Sequence, residues 1–421
     1  MTVATRAAAP LAVAGGAKVR QTPFPPRGPI GAEEKAAILA YVEQTVATGA
    51  ALGYNGEEEN AYCQAFADFM GGGYVDAVNS GTSALYVALQ ALHLEPFTEV
   101  IVAAVTDPGG MMPIPLLNLI PVVADTEPHS YNTGPDQVAA LISPLTSAIV
   151  VAHIAGEPAN MAGIMQVARH HNLPVIEDCS QSHGARLHGQ LVGSFGDIGV
   201  FSTMGGKHHC SGGQGGVVYT QSERLYHEIR RSSDRGKPFF LPPGSTNTHG
   251  ALNLNLTDLG AVIGRAQLQK LPDIIARRQT IVGMLGEGIE DLATVALPPL
   301  IDGAEACYWF LRMRFYAERA TGDKAAFCQA LSAEGLPVTP SYRAALPHTM
   351  EWFVQRRVFG TSGYPWASPD YKGDRQRQFP CPNADATMDA HFNLHFHEHW
   401  TAQDVADAIA ILQKVDAAFR K

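Results

Sequence analysis

Between residues 75 and 177 the chain alternates short apolar runs with segments of helical spacing, and no other feature narrows its fold as far. Residues 75–78, 100–103, 120–124, 148–152 and 174–177 read as strands; residues 84–92, 110–117, 135–141 and 161–171 read as the helices between them. Alternation at these lengths predicts an α/β fold, a mostly parallel sheet with helices on both faces. Ligands of such sheets sit at the carboxyl ends of the strands. Helices at 32–48 and 57–70 precede this region. After it come a strand at 217–219, a helix at 222–232 and a loop rich in Pro, Gly and Asn over 237–255. Helical pattern resumes at 257 and again from Pro272 to 292. A smaller α+β unit follows, with strands at 307–315 and 391–396, a helix at 324–334 and a terminal helix at 401–419 capped by Thr401. The chain thus divides into an arm (1–30), a large domain (31–270) and a smaller C-terminal domain (271–421).

Composition removes several function classes. The 421 residues are 46% hydrophobic and 17% charged, an ordinary globular balance. A net charge of −10 argues against general nucleic-acid binding. The most apolar window, 101–124, is broken by Asp107, Pro108, Gly109 and Gly110, so it reads as buried core and not as a membrane span. Cys63, Cys179, Cys210, Cys307, Cys328 and Cys381 lie far apart with no Cys-x-x-Cys, the usage of a reduced, cytoplasmic protein. Pro10 and Gly15-Gly16 interrupt any signal-peptide core.

The chemistry gathers at the turns that follow the strands. Met204-Gly205-Gly206-Lys207-His208-His209 presents one lysine in a glycine-rich loop between apolar runs. A lysine amine of lowered pKa is a nucleophile toward carbonyls. A P-loop is excluded, because Phe201 stands where its first glycine belongs and His208 where Ser or Thr belongs. No Gly-x-Ser-x-Gly elbow surrounds Ser194, Ser202 or Ser211. Asn79-Ser80-Gly81-Thr82-Ser83 opens a helix, and free N–H groups with hydroxyls suit a phosphate. Asp178 ends a buried strand, where a carboxylate can hold a cationic ring nitrogen. Ser202 adds a hydroxyl shortly before the lysine. Phosphate cradle, carboxylate and lysine, in that order, are the parts of a pyridoxal phosphate site.

These segments resemble the DegT/DnrJ/EryC1/StrS sugar aminotransferases, a branch of the fold-type I pyridoxal phosphate enzymes. The likeness is carried by Asn79 to Leu85, Ala155-Gly156-Glu157-Pro158-Ala159-Asn160-Met161, Ile176-Glu177-Asp178-Cys179-Ser180-Gln181-Ser182-His183-Gly184-Ala185, Gly193-Ser194-Phe195-Gly196-Asp197, and Asn253 with Thr257-Asp258-Leu259. The resemblance implies that Lys207 carries a Schiff base with the cofactor and that Asp178 pairs with its ring nitrogen. It further implies that Gly81, Thr82, Ser83 and Ser202 bind the phosphate and that Gln181 lies against the ring. Asn253 would reach the phosphate of a neighbouring subunit, which implies a homodimer with shared sites. The expected activity is amination of a ring ketone of a sugar, nucleotide-linked, or of a cyclitol, with glutamate or glutamine as donor. A pyridoxal phosphate lyase or dehydratase is the alternative within enzymes, and a non-catalytic cofactor-binding subunit the alternative outside them. A related group of dehydratases has histidine at the Lys207 position, so the lysine favours transamination.

This chain also departs from that pattern. Asp107 follows Thr106 where an aromatic residue often stacks on the ring. Asn253-Leu254-Asn255 replaces Asn-Tyr-Arg, and Gln214 replaces a glutamate in the glycine loop. The cofactor parts are intact, while the substrate side is altered. His391, His395, His397 and His399 alternate along the last strand and its extension, yet no second ligand pair completes a zinc set, so no metal is expected.

Overall fold

The computed structural model describes residues 10–421; residues 1–9 of the expected arm lie outside the described residues. A seven-stranded sheet forms its centre. Its strands in chain order are β1 (Tyr74–Val78), β2 (Glu99–Ala103), β3 (Ile120–Ala124), β4 (Thr146–Ala152), β5 (Val175–Asp178), β6 (Ile198–Ser202) and β7 (Gly216–Thr220). They lie in the order β1-β7-β6-β5-β4-β2-β3. β2, β3, β4, β5 and β6 pair in parallel. β2 and β3 are buried along their whole length, which explains why they read as unbroken apolar runs. β7 runs antiparallel to β6 and β1. The cause lies in the connection, because β6 reaches β7 through the lysine loop and not through a crossover helix, which parallel pairing would require.

Local chemistry moves several boundaries. The helix expected from Ala84 begins at Gly81 and runs to Ala91, because Ser80 caps it: the Ser80 hydroxyl accepts the N–H of Ser83 at 3.0 Å. The 110–117 segment is not one helix. It forms a 3-10 turn, Pro108–Gly110, and a short helix, Pro113–Leu116, since Pro113 and Pro115 supply no N–H. The two helical patterns around Pro272 are one helix, Asp258–Ile289, with that proline inside. This helix leads from the large sheet to a four-stranded antiparallel sheet of Val295–Ala296, Leu311–Phe315, His391–Leu394 and Val338–Thr339. A small antiparallel ribbon of Arg186–Leu187, Gln190–Leu191 and Ala304–Glu305 was not expected from the pattern. The terminal helix, Ala402–Phe419, has Thr401 as its cap, in a reciprocal box with Asp404.

The described part of the arm is docked onto the smaller sheet's unit. Glu334 accepts the N–H of Ala12 at 2.9 Å and of Val19 at 3.0 Å, and Phe24 stacks on Trp400 at 4.5 Å. The histidines near the last strand have separate partners. His391 lies 3.2 Å from an Arg312 nitrogen, His395 bonds Thr339 at 2.7 Å, and His397 donates to the Pro25 carbonyl at 2.8 Å. Among the described residues no helix is long and apolar enough to cross a membrane.

The start of β7 packs directly against the cap of the Gly81–Ala91 helix. A Cβ at Gly216 would lie 2.3 Å from the Ser80 carbonyl oxygen and 3.0 Å from the Gly81 nitrogen, both rigid backbone atoms. Gly216→Ala should therefore lower unfolding stability by about 1–3 kcal/mol. Gly213→Ala, whose Cβ meets nothing within 4 Å, should change it little, as comparison of urea midpoints would show.

Candidate active site

The carboxyl ends of β1, β2, β4, β5 and β6 open onto one cavity of about 310 Å³. Gly81 makes one corner of it possible by allowing a close approach. A Cβ there would stand 2.6 Å from the Ser202 Cβ, so only glycine lets the helix N-terminus meet the end of β6. Ser80, Gly81, Thr82 and Ser202 line this corner. The first N–H groups of a helix have no intrahelical acceptor, and its positive dipole end points into the same space.

Asp178 enters from the end of β5. Its Oδ1 accepts the N–H of Ser180 at 3.0 Å. Burial raises its pKa, while the Ser180 bonds and the Lys207 charge act in the opposite sense. Lys207, 6% exposed, faces it from the loop between β6 and β7. Burial pulls the Lys207 amine down to about 8, and Asp178 and Asp107 restrain the fall. The Lys207 Nζ lies 3.7 Å from the centre of the Trp309 ring. Trp309 is itself held, its indole N–H donating to the Gly206 carbonyl at 3.1 Å.

Gln181 is fixed at both ends. Its Oε1 accepts the Ala155 N–H at 2.9 Å and its Nε2 donates to the Tyr342 hydroxyl at 3.0 Å. Beneath it, Glu177 accepts from Gly193, Phe195 and Gly196 and pairs with His153 at 3.0 Å. That carboxylate is fully occupied in bracing the β5 loop.

Of the residues marked in the sequence, Lys207, Asp178, Gly81, Thr82, Gln181 and Ser202 line this cavity. Ser83 does not. Its hydroxyl donates to Asn79 at 2.6 Å and bonds Ser80 at 2.9 Å, so it braces the cap from behind. Asn253 is exposed, bridged to Asp234 and bonded to Asn255 at 2.6 Å, and it is not among the residues lining its own chain's cavity. Asp107 stands at the mouth, where its Oδ1 accepts the Gly109 N–H at 2.9 Å. Ser80, Thr106 and Trp309 line the cavity without having been marked. Ser80 was legible as an N-cap. Trp309 lies ahead of Leu311–Phe315, in a segment read as regular strand, and no local pattern distinguishes it from core.

A helix N-terminus, a strand-end carboxylate and a buried amine thus stand together on the rim of a mostly parallel sheet. The model of the DegT/DnrJ/EryC1/StrS aminotransferase family matches residues 32–413, and the chain belongs to that family. L-glutamine:2-deoxy-scyllo-inosose aminotransferase of Streptomyces fradiae is 30% identical over 426 residues, covering 96% of this chain and 97% of the relative. The aminotransferase from Psychrobacter cryohalolentis superposes with a TM-score of 0.82 at 26% identity, covering 94% of this chain and 99% of that one. NtdA from Bacillus subtilis, solved with the bound cofactor PMP, shares the fold, with a TM-score of 0.78 at 21% identity, 95% of this chain and 87% of that one covered.

The buried amine makes stability depend on pH in a defined sense. Below about 8 it is charged in the folded and unfolded states alike, and the burial cost is present in full. From there to 10.5, its ordinary value, the folded protein has released the proton and the unfolded chain has not, so stability rises with pH. Lys207→Met, in cofactor-free protein, should be more stable than wild type at neutral pH. That advantage should shrink by roughly 3 kcal/mol at most as pH climbs through this window, read from urea unfolding at each pH.

Proposed function

We propose that this enzyme transfers an amino group to the ring ketone of a cyclitol or a nucleotide-linked sugar, with glutamine or glutamate as donor and pyridoxal phosphate as cofactor. One observation carries the reading: the Lys207 amine, buried yet ionising near neutrality at about 8, opposite Asp178 in a cavity closed by a helix N-terminus. The donor and the cyclitol acceptor are supported by the relative matched along nearly its whole length, whose name states glutamine and a scyllo-inosose. The dehydratase alternative is not favoured, since the side chain at this position is an amine.

The residues fit the cofactor. The N–H groups at the start of the Gly81–Ala91 helix, with the hydroxyls of Ser80, Thr82 and Ser202, would hold its phosphate. Asp178 would pair with the ring nitrogen, and a cation there would keep this buried carboxylate ionised. Lys207 would hold the carbonyl carbon. When bound, the cofactor supplies an electron sink for the pair left by a broken substrate C–H bond. Lys207, with its lowered pKa, can take that proton and return it to a neighbouring atom. Gln181, locked between Ala155 and Tyr342, forms one rigid wall, and Trp309 covers the amine.

A homodimer with shared sites is part of the proposal. Asn253 is exposed on a polar loop, and apolar side chains stand out nearby and on the Ala32–Thr48 helix: Val46 is 77% exposed, Phe240 54% and Leu252 53%. Such exposure suits a subunit interface, across which Asn253 would serve the partner's phosphate. A cytoplasmic location is supported by six cysteines that are all free.

Reduction with borohydride after incubation with pyridoxal phosphate should leave a phosphopyridoxyl mass on the Lys207 peptide, and attachment elsewhere sinks the assignment. Lys207→Ala should slow the donor half-reaction by at least roughly 10²–10⁴-fold. Asp178→Asn should keep some cofactor and lose most of the rate.

Mixing inactive Lys207→Ala and Asn253→Asp proteins tests the sharing. A mixed dimer has one site with both lesions and one intact site. With exchange complete, activity should return to about a quarter of wild type. Exchange verified by mass without recovered activity would assign Asn253 to its own chain.

A further inference from the structure

Behind the cavity lies a buried ion cluster that the reaction itself does not use. Glu398 follows the strand His391–Leu394 and is 4% exposed. Two arginines from distant parts of the chain share it. Arg27, in the docked arm, donates from Nε to Glu398 Oε1 at 2.9 Å. Arg278, on the Asp258–Ile289 helix, donates from Nε to Oε2 at 2.9 Å and places Nη2 2.8 Å from the same oxygen. Burial alone would raise the Glu398 pKa, but the two guanidinium charges outweigh it and hold the carboxyl below its usual range.

Each arginine spends its remaining donors on backbone carbonyls beside the reacting amine. Arg27 donates to Gly206 at 3.1 Å, to His208 at 2.9 Å and to Lys207 itself. Arg278 donates to Tyr308 at 2.8 Å and to Trp309 at 3.1 Å. One guanidinium therefore pins the lysine loop and the other pins the tryptophan segment. A planar fork with several fixed donors can do this, whereas a lysine ammonium could not. Direct ties between the two segments are few, the Trp309 indole to Gly206 at 3.1 Å and His208 Nε2 to the Cys307 carbonyl at 3.1 Å.

We propose that Glu398 is a positioning residue: through Arg27 and Arg278 it sets the spacing between the Lys207 loop and the Trp309 segment, and so keeps the amine against the indole face. Without the carboxylate, the buried Arg278 and the half-buried Arg27 are left as unpaired charges, and each must turn toward water, releasing the carbonyls it held. The lysine loop is then free to move off the indole, and water reaches the amine. The docked arm becomes part of the active-site frame by the same argument, since Arg27 is its contribution.

The proposal rests on Lys207 as the reacting amine, and its test needs no cofactor. Competitive acetylation of the cofactor-free protein across pH, read by mass on the Lys207 peptide, gives the midpoint of that amine. Its charged neighbours are Asp178 and Asp107 at the cavity; His183 and His208, behind the loop, are held neutral by burial, which lowers both imidazoles well below their ordinary value. In Glu398→Gln, which keeps the shape, the midpoint should move up by roughly one unit or more toward the ordinary lysine value, and cofactor-free Trp fluorescence should become more quenchable by acrylamide. Arg27→Lys keeps a charge but not the fork, and should shift the midpoint in the same direction even if Glu398→Gln does not fold. A folded variant with lowered melting temperature and an unchanged Lys207 midpoint would reduce Glu398 to a stability role and overturn the proposal. Failure of pyridoxal phosphate to attach at Lys207 in wild type would instead overturn the functional reading, leaving the acetylation result standing.

Discussion

Withdrawing one ammonium group from water is the constraint around which this site is built. Desolvation alone would push a buried lysine far toward the neutral form. Here Asp178 and Asp107 restrain the fall so that Lys207 settles at about 8, and the Trp309 face lies 3.7 Å from the nitrogen. An amine so balanced is largely protonated at rest and can still give up its proton at neutral pH. Fully solvated it would hold the proton too firmly, and in a purely apolar pocket it would have no charge left to attract a carboxylate.

The backbone direction around the lysine follows from the same need. The loop between β6 and β7 carries no helix to cross over the sheet, so β7 turns back antiparallel and the lysine hangs at the strand ends, over the cavity. Gly216 lets the returning strand pass against Ser80, and Gly81 lets the helix N-terminus touch Ser202. The helix N-terminus and the amine are thereby brought to one cavity by close backbone packing. The Ser83 hydroxyl, turned back on Asn79 and Ser80, braces this corner and leaves the cavity lining to Ser80, Gly81 and Thr82.

On the substrate side the cavity is acidic at its mouth. Asp107 caps the Pro108–Gly110 turn where related chains often place a ring. It faces the cavity together with Lys207 and His153 among the lining residues.

The parallel core was legible in the sequence because β2 to β5 are buried on both faces and are mostly apolar, with charged residues only at strand ends such as Glu99, Glu177 and Asp178. Glycine, serine and threonine at the strand ends marked the helix N-terminus for a similar reason, since few residues tolerate that geometry. Lys207, Asp178 and their order along the chain were legible from residue chemistry and from family likeness. What the pattern could not carry were contacts between segments far apart in sequence. Trp309 against Lys207, Gln181 locked by Tyr342, and Arg27 and Arg278 meeting at Glu398 all depend on how the smaller sheet and the arm pack on the larger one. Pro272 inside a helix and the antiparallel β7 belong to the same class. Local periodicity records which face of an element is buried; which partner buries it, and where a side chain's last polar atom ends up, is decided only when the distant elements close on one another.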